Sequence, residues 1–229
     1  MGIEITKDDK VAIVANYSHI AARALVDQLI EHPSYRKIIL IDEQQPTFEH
    51  DKVVNYALDT EQLSSKLKGD DLFCFYSIHQ TQKHVTDVKI RDLFAFQLAK
   101  LAAINNVGQL MLLTSSNTDK GSMNFNSRIR AHLEESVNAL PFWAVHLFRP
   151  TVIVNTENKS RWGEGIANRI GKGLDFLTGG MVSRYRPVEA RLLAKTMLDA
   201  AQQLEEGRFR YHPSYFVEAE EEEKGLQKR

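Results

Sequence analysis

The fold is decided by one stretch, VAIVANYSHIAARAL, which covers residues 11–25. Its first five residues are apolar and predict a buried strand. The next residues predict a tight turn, and the residues after the turn predict a helix. Leu25, Leu29 and Ile30 lie on the apolar side of that helix. The stretch therefore predicts a buried strand, a turn and a helix in immediate succession.

A strand, a turn and a helix in this order begin a dinucleotide-binding unit. The turn normally carries three glycines, which make the turn, let the backbone approach a pyrophosphate, and let the helix pack on the strand. Here the three positions hold Ala15, Ser18 and Ala21. All three residues are small, but none is glycine. The sequence thus predicts the strand, turn and helix of a dinucleotide-binding unit, with an altered phosphate-binding turn.

Strands and helices continue to alternate along the chain. Apolar runs predict strands at 37–41, 53–54, 72–76, 109–113, 142–148 and 209–211, and apolar residues at helical spacing predict helices at 86–105, 125–139 and 187–204. This alternation predicts an α/β fold, a doubly wound, mostly parallel Rossmann sheet with helices on both faces and a small C-terminal substrate lobe.

We expect a single Rossmann-type domain over residues 1–216. Residues 1–154 form its dinucleotide-binding core, and residues 155–216 form a small substrate-side lobe and a closing helix. Six of the 12 glycines lie between Gly163 and Gly180, which is why the turn-rich lobe is placed there. Residues 217–229 are predicted to be an acidic tail, either solvated or a fraying helix end, with an acidic partner-binding segment as the alternative.

Composition limits the partners of the protein. The net charge of −1 gives no bulk attraction to nucleic acid or to an anionic membrane. No apolar run approaches the roughly 20 residues of a membrane span, and no signal peptide is recognised, so we expect a cytoplasmic protein. No metal is expected, because His79 and His84 have no further ligands beside them. The expected partners are a dinucleotide, a small-molecule substrate, and a homo-oligomer or protein partner.

Five segments, in their order and spacing, give the sequence its resemblance to a known family. They are the stretch at 11–25, LKGDDLF at 67–73, LLTSS at 112–116, FRPT at 148–151 and YRPVEA at 185–190. Over residues 11–204 the chain resembles the atypical short-chain dehydrogenase/reductases, in particular the small Tat-interacting oxidoreductase-like type beside the NmrA-like proteins. The resemblance implies a doubly wound fold with NAD(P) along the carboxyl ends of the strands.

The resemblance also implies a catalytic serine after the fifth strand and a Tyr-x-x-x-Lys motif on the next helix. Ser115 matches the serine, whereas Asn126 stands at the tyrosine position and Arg130 at the lysine position. An amide cannot exchange a proton at neutral pH, so we expect the usual reductase cycle to be badly impaired. Arg130 keeps a positive charge and could bind a ribose or a phosphate; the alternative is an exposed helix arginine.

Ten residues are predicted to contact the cofactor. They are Ala15, Asn16, Tyr17, Ser18, His19 and Ile20 of the turn, Asp42 after the second strand, Ser77 and Ile78 after the fourth, and Arg149 after the sixth. Asp42 lies about 20 residues beyond the turn, where a carboxylate binds the ribose hydroxyls of NAD and repels the 2′-phosphate of NADP. The alternative is an aspartate that only makes a local turn.

Residues within the turn allow more than one interpretation. The Ser18 side chain occupies space that is usually left to bare backbone, and its hydroxyl could bind a phosphate or cap the helix. Tyr17 and His19 could cover an adenosine or block it. These departures predict weak binding of NAD or NADP, with NAD favoured.

Three hypotheses of function follow. The first is an NAD(P)-binding oxidoreductase-like protein with impaired catalysis. The second is a non-enzymatic nucleotide-sensing or regulatory module. The third is a relative of nucleotide-sugar epimerases, which is disfavoured because the chain lacks both Tyr-x-x-x-Lys and a long substrate domain.

Overall fold

The structure is a computed structural model that describes residues 8–57, 63, 67–76, 93–155 and 186–226. Its strands are Lys10–Ala15 (β1), Tyr35–Asp42 (β2), Val53–Ala57 (β3), Asp71–Phe75 (β4), Gln109–Leu113 (β5), Ala144–Phe148 (β6), Ile153–Val154 (β7), Val188–Glu189 (β8) and Gly207–Tyr211 (β9). Its helices are Ile20–Glu31 (α1), Phe94–Ile104 (α2), Phe125–Asn138 (α3), Ala190–Gln202 (α4) and Pro213–Leu226 (α5).

Seven strands form one parallel sheet in the order β3-β2-β1-β4-β5-β6-β9, and β7 pairs with β8 separately. The order reverses direction at β1, because the chain first builds outward through β2 and β3 and then crosses to β4. Ligands of such sheets bind where the strand order reverses, outside the carboxyl ends of the strands. The predicted α/β Rossmann sheet is therefore confirmed, and it defines the edge at which a site is to be sought.

Helices cover both faces of this sheet. The apolar sides of α1, α4 and α5 pack on one face, where Leu25, Met197 and Phe216 are buried. On the other face α2 and α3 bury Leu98 and Leu133. Because both faces are covered, strands β1, β4, β5 and β6 are apolar almost throughout, as the sequence indicated. None of the helices in the described ranges is long and apolar enough to cross a membrane.

Two parts of the C-terminal region differ in detail from their predictions. The helix predicted at 187–204 begins only at Ala190, because the preceding residues form β8 and the amide of Val188 donates to the carbonyl of Val152 at 2.8 Å. The segment predicted to be a tail from residue 217 continues α5, which buries Phe216 and packs Ala219 against the core. The proposed lobe lies mostly at 156–185, outside the described residues, and stays a prediction.

A buried polar network fixes the amino ends of four strands. The ammonium of Lys10 lies 2.7 Å from the carboxylate of Asp71, which also accepts from the Tyr35 hydroxyl at 2.6 Å and the Gln109 amide at 2.8 Å. Lys10 further donates to the carbonyl of Ala201 near the C-terminus of α4, where a cation is favourable. Burial nevertheless raises the pKa of Asp71. The network ties α4 to the edge of the sheet opposite to the candidate site.

Candidate functional site

Asn16 gives the first turn its shape. Its backbone has a φ of 65°, in the left-handed region that asparagine tolerates better than most residues. The buried side-chain amide donates to the carbonyl of Phe75 at 2.7 Å, and its oxygen accepts from the Ser18 hydroxyl at 3.1 Å. Ser18 itself does not have a positive φ. The glycine-type backbone therefore falls on Asn16 and not on Ser18.

The carboxylate of Asp42 is held against the turn. One oxygen accepts from the backbone amide of Ser18 at 2.7 Å, and the other accepts from the amide of Glu43 at 2.8 Å. Only 8 % of Asp42 is exposed. Asp42 thus makes local bonds at the turn, and its role in binding a ribose stays a prediction. An ionised carboxylate has about four acceptor positions, so two remain for other donors.

His19 caps α1 and covers the turn. Its Nδ1 accepts from the backbone amide of Ala21 at 3.1 Å. The ring stacks on Phe75 with centroids 5.5 Å apart and planes inclined by 24°. Burial lowers the pKa of His19 to about 4, so the ring is neutral at pH 7 with its proton on Nε2. The residue that caps the helix is therefore His19, not Ser18, and it uses an amide that would otherwise face an anion.

The remaining predicted turn residues support this arrangement from either side. Ala15 is fully buried, and Ile20 begins α1 as a half-buried residue. The ring of Tyr17 packs edge-on against Phe48 at 5.9 Å, and the guanidinium of Arg23 lies 5.9 Å from its centroid. Tyr17 thus covers the surface beside the turn.

A second cluster joins α3 to the ends of β5 and β6. Glu134 is almost fully buried, accepts from the Thr114 hydroxyl at 2.6 Å, and binds the guanidinium of Arg149 through both carboxylate oxygens. Arg149, predicted to contact the cofactor, therefore has an internal partner that uses its Nε and Nη2. The sequence indicates only weakly that Glu134 is buried, namely by its position beside the apolar residues Leu133 and Val137.

The three predicted catalytic residues lie in the same region but differ in their surroundings. Ser115 is half-buried and its Oγ accepts from the amide of Asn117 at 3.4 Å. Asn126 is exposed in the first turn of α3, which Asn124 caps. Arg130 is half-buried one turn later, and its Nη2 donates to the carbonyl of Asn117 at 3.2 Å. The interpretation of Arg130 as an exposed helix arginine is therefore wrong.

Tyr76 also lies in this region, although the sequence predicted it only as the last residue of a strand. It directly follows β4, and its amide donates to the carbonyl of Leu113 at 3.3 Å. Burial raises the pKa of its phenol to about 12, against an opposing effect of the nearby Arg130. The phenol is thus protonated at neutral pH beside a cationic group.

Two groups result from these contacts at the carboxyl edge of the sheet. The turn with Asp42 forms the first, and the loop after β5 with Arg130 and Tyr76 forms the second. Ser77 and Ile78 lie outside the described residues, as do His79 and His84. Among the described residues, no group of three or more His, Cys, Asp or Glu side chains could hold a metal ion.

Comparisons with known proteins agree with this architecture. No protein-family model matches the chain. Protein HTATIP2 of Rattus norvegicus is 24 % identical over 169 residues, which cover 70 % of each chain. The resemblance to the atypical short-chain dehydrogenase/reductases is confirmed.

Solved structures of short-chain dehydrogenase/reductases and related enzymes share the fold. The Bordetella bronchiseptica enzyme WbmH, solved with NAD+, has a TM-score of 0.58 at 13 % identity and covers 89 % of this chain and 76 % of its own. A short-chain dehydrogenase/reductase superfamily protein from Agrobacterium tumefaciens, solved with NAD, has a TM-score of 0.59 at 15 % identity, with coverages of 88 % and 77 %. UDP-N-acetylglucosamine 4-epimerase from Bacillus cereus has a TM-score of 0.56 at 13 % identity, and the match covers 87 % of this chain and 78 % of the epimerase.

The likeness to the short-chain dehydrogenase/reductases thus extends over the sheet, whereas the departures from their motifs are local. At the three positions compared with the glycines of the turn, Ala15 and Ala21 are buried, and the Ser18 hydroxyl donates to the side chain of Asn16. Asn126, which the sequence comparison predicts at the tyrosine position, is an exposed amide, and Arg130, predicted at the lysine position, is a half-buried guanidinium.

Proposed function

We propose that the protein is an NAD(P)-binding, oxidoreductase-like protein of the atypical short-chain dehydrogenase/reductase type, with weak cofactor binding and impaired reductase chemistry. The observation that carries this proposal is the bond between Asp42 and the amide of Ser18. It holds a carboxylate at the carboxyl end of β2, against the turn, with acceptor positions left over for ribose hydroxyls.

The charge of Asp42 supports a preference for NAD. The 2′-phosphate of NADP would approach a carboxylate that, among the described residues, accepts from two neutral backbone amides, and like charges at short range repel each other. The ribose of NAD presents hydroxyl donors instead. We therefore propose NAD, rather than NADP, as the cofactor.

The neighbouring turn supports weak binding. A pyrophosphate at the N-terminus of α1 would compete with His19 for the amide of Ala21. A hydrogen bond to a charged group contributes roughly 1.5–3 kcal/mol, so the loss of one such bond weakens binding by about 10- to 150-fold. A carboxylate suited to the ribose, Asp42, thus lies against a turn in which His19 is unfavourable to the pyrophosphate.

The second group of residues supports impaired chemistry. A nicotinamide cofactor, when bound, supplies or accepts a hydride. Ser115 could donate a hydrogen bond to a substrate carbonyl, and Arg130 provides a positive charge. Asn126 cannot supply the proton that carbonyl reduction requires, and a positioned acid contributes about 10²- to 10⁴-fold in rate.

Calorimetric titration of NADH and NADPH tests the cofactor assignment. We expect NADH to bind more tightly than NADPH, and Asp42→Asn, which keeps the shape but removes the charge, to reduce this difference. Asp199→Asn is the control, because Asp199 is an exposed carboxylate on α4 that pairs with Lys195. Tighter binding of NADPH, or an unchanged ratio in Asp42→Asn, would contradict the role of Asp42.

The second candidate is a non-enzymatic nucleotide-sensing or regulatory module, and His19 is the observation that favours it. A turn whose amides are bonded internally needs no cofactor to be stable. If neither dinucleotide binds at millimolar concentration, the cofactor assignment fails and this candidate replaces it. A cytoplasmic location and a homo-oligomer or protein partner stay predictions.

A further inference from the structure

The guanidinium of Arg130 has an unused donor. Its Nη2 donates to the carbonyl of Asn117 at 3.2 Å. Its Nε is buried and has no hydrogen-bond partner among the described residues. Buried polar groups almost always have partners, so an orphaned guanidinium nitrogen at the carboxyl edge of the sheet calls for one.

The guanidinium of Arg130 also lacks a direct ion pair in the part of the chain that the structure describes. Glu134 lies one turn further along α3, at a spacing that would permit an ion pair. Its oxygens are instead engaged by Thr114 and by Arg149. Among the described residues, no carboxylate forms a salt bridge with Arg130. Glu134 therefore acts on Arg130 only at longer range, and the guanidinium has no direct ion-pair partner among the described residues.

Arg128, two residues earlier on the same helix, shows the contrast. Its Nη1 donates to the carbonyls of Ser122 at 2.9 Å and Met123 at 3.0 Å. Its guanidinium also lies 5.8 Å from the ring centroid of Phe125. Arg128 thus has the contacts of a structural arginine, which Arg130 lacks.

Apart from Glu134, which acts on Arg130 at longer range, the groups around Arg130 are neutral hydrogen-bonding groups. The phenol of Tyr76 is near enough to interact electrostatically with Arg130 and is protonated at neutral pH. Asn117 is exposed, and Asn126, one turn before Arg130, is an exposed amide. Donors of this kind, next to a guanidinium without a direct ion pair and with an unpartnered Nε, suit an oxyanion better than a cation or an apolar group.

We propose that Arg130 anchors an oxyanion subsite, in which its Nε–H binds the carboxylate or phosphate group of a small-molecule ligand. A guanidinium matches both groups, because its planar fork can donate two parallel hydrogen bonds to two oxygens. The subsite stands whether or not the protein binds a dinucleotide, since none of the contacts that define it involves the turn after β1.

Nuclear magnetic resonance of the arginine Nε–H groups tests this subsite in the unmodified protein. The Arg130 resonance is assigned by its disappearance in Arg130→Lys. Sodium acetate and inorganic phosphate are titrated separately at constant ionic strength, with acetamide as the neutral counterpart of acetate. We expect a saturable shift of the Arg130 Nε–H with at least one oxyanion and none with acetamide. The oxyanion that binds more tightly, acetate or phosphate, identifies the ligand group as a carboxylate or a phosphate.

Two variants separate the subsite from general charge effects. Arg130→Gln should weaken binding of the oxyanion, measured from backbone amide shifts, by about 10- to 100-fold, which corresponds to loss of a charge-assisted hydrogen bond. Arg128→Gln removes the same charge from the same helix and should leave the affinity unchanged. An equal loss in both variants would reduce the effect to surface charge and overturn the proposal.

Two further outcomes would also overturn it. The first is the absence of a saturable shift of the Arg130 Nε–H with either oxyanion. The second is NAD binding that depends on Arg130 in a protein that binds neither acetate nor phosphate, which would assign the guanidinium to the cofactor. Failure of NAD binding alone leaves the oxyanion titrations unaffected, so the two proposals fail separately.

Discussion

Asn16 makes with side-chain bonds the turn that glycines usually make with backbone freedom. It takes the left-handed conformation, and its amide bonds to Phe75 and Ser18 hold the chain there. Glycine at this position would lose those bonds, although its backbone would be unstrained. The sequence predicted a tight turn here, but not which residue carries its unusual backbone, because that depends on a carbonyl 59 residues away.

Another residue-scale feature is the buried His146, which predicts acid sensitivity. Its Nδ1 lies 2.9 Å from the Tyr211 hydroxyl and its ring stacks on Phe209 at 4.8 Å. Burial lowers the pKa of His146 from 6.5 to about 4. Between these values the unfolded chain binds a proton that the folded chain does not. The stabilisation is therefore complete above pH 6.5 and is lost as the pH falls towards 4, by up to about 3 kcal/mol.

Urea unfolding at pH 7, 5.5 and 4.5 measures this effect. We expect His146→Phe, which preserves the aromatic stack, to show a smaller decrease of the unfolding free energy with falling pH than the unmodified protein. His132→Gln is the control, because it changes a histidine on the surface of α3 without touching the core. An unchanged pH dependence in His146→Phe would assign the acid sensitivity to other groups.

At the scale of elements, Gly69 sets how closely the chain before β4 crosses β1. A Cβ atom at this position would lie 2.9 Å from Cδ1 of Ile13 and 3.1 Å from the carbonyl oxygen of Val11. The amide of Asp70 donates to that same carbonyl at 2.9 Å, which keeps the two segments together. Gly69→Ala should therefore destabilise the protein by about 1–3 kcal/mol through overpacking.

Thermal or urea unfolding checks this expectation against a matched glycine. In Gly121→Ala the new Cβ would meet only Asp119, at 3.7 Å, which is an ordinary contact. Its effect should stay within about 0.5 kcal/mol. If both variants unfolded alike, the close approach of β1 and the chain before β4 would not limit the side chain at position 69.

The elements themselves were largely predictable, whereas the polar contacts between them were not. Apolar runs located β1, β2, β4, β5 and β6, because a strand covered on both faces must be apolar almost throughout. The outer strands β3 and β9 are only partly buried, and the short segments 53–54 and 209–211 indicated them more weakly. Lys10 and Asp71 gave no such signal, since charged residues at strand starts ordinarily face solvent. Their burial results from the Tyr35 and Gln109 side chains and from the C-terminus of α4, which are distant in sequence.

At the scale of the whole molecule, the sequence predicts where the candidate site lies but not the polar contacts within it. Parallel order predicts that residues following β1, β2, β5 and β6 meet at one edge, and the structure describes them there. It does not predict that Glu134 binds Arg149, or that Asp42 binds the amide of Ser18. Such pairings depend on how α3 and the turn lie on the sheet, which the spacing of residues in the sequence does not specify.

Because Asn126 cannot donate the proton, we predict that the unmodified protein hardly reduces ordinary aldehydes and ketones with NADH or NADPH. Asn126 and Arg130 lie one helical turn apart on α3, as the tyrosine and lysine of the family motif do. The double change Asn126→Tyr with Arg130→Lys restores a phenol that can donate a proton and a lysine that can lower its pKa. If the cofactor binds, we expect slow turnover to appear, with an acid contribution of about 10²- to 10⁴-fold.

Spectrophotometric assays of cofactor oxidation, with a panel of aldehydes and ketones, measure this turnover. The matched control is Asn126→Phe with Arg130→Lys, which has the same ring without the hydroxyl and should stay inactive. Activity in both double variants would mean that a changed cleft, not a restored proton donor, causes the gain. Robust activity in the unmodified protein that persists in Ser115→Ala would show that the acid lies elsewhere, and Tyr76, protonated beside Arg130, is then the first residue to replace.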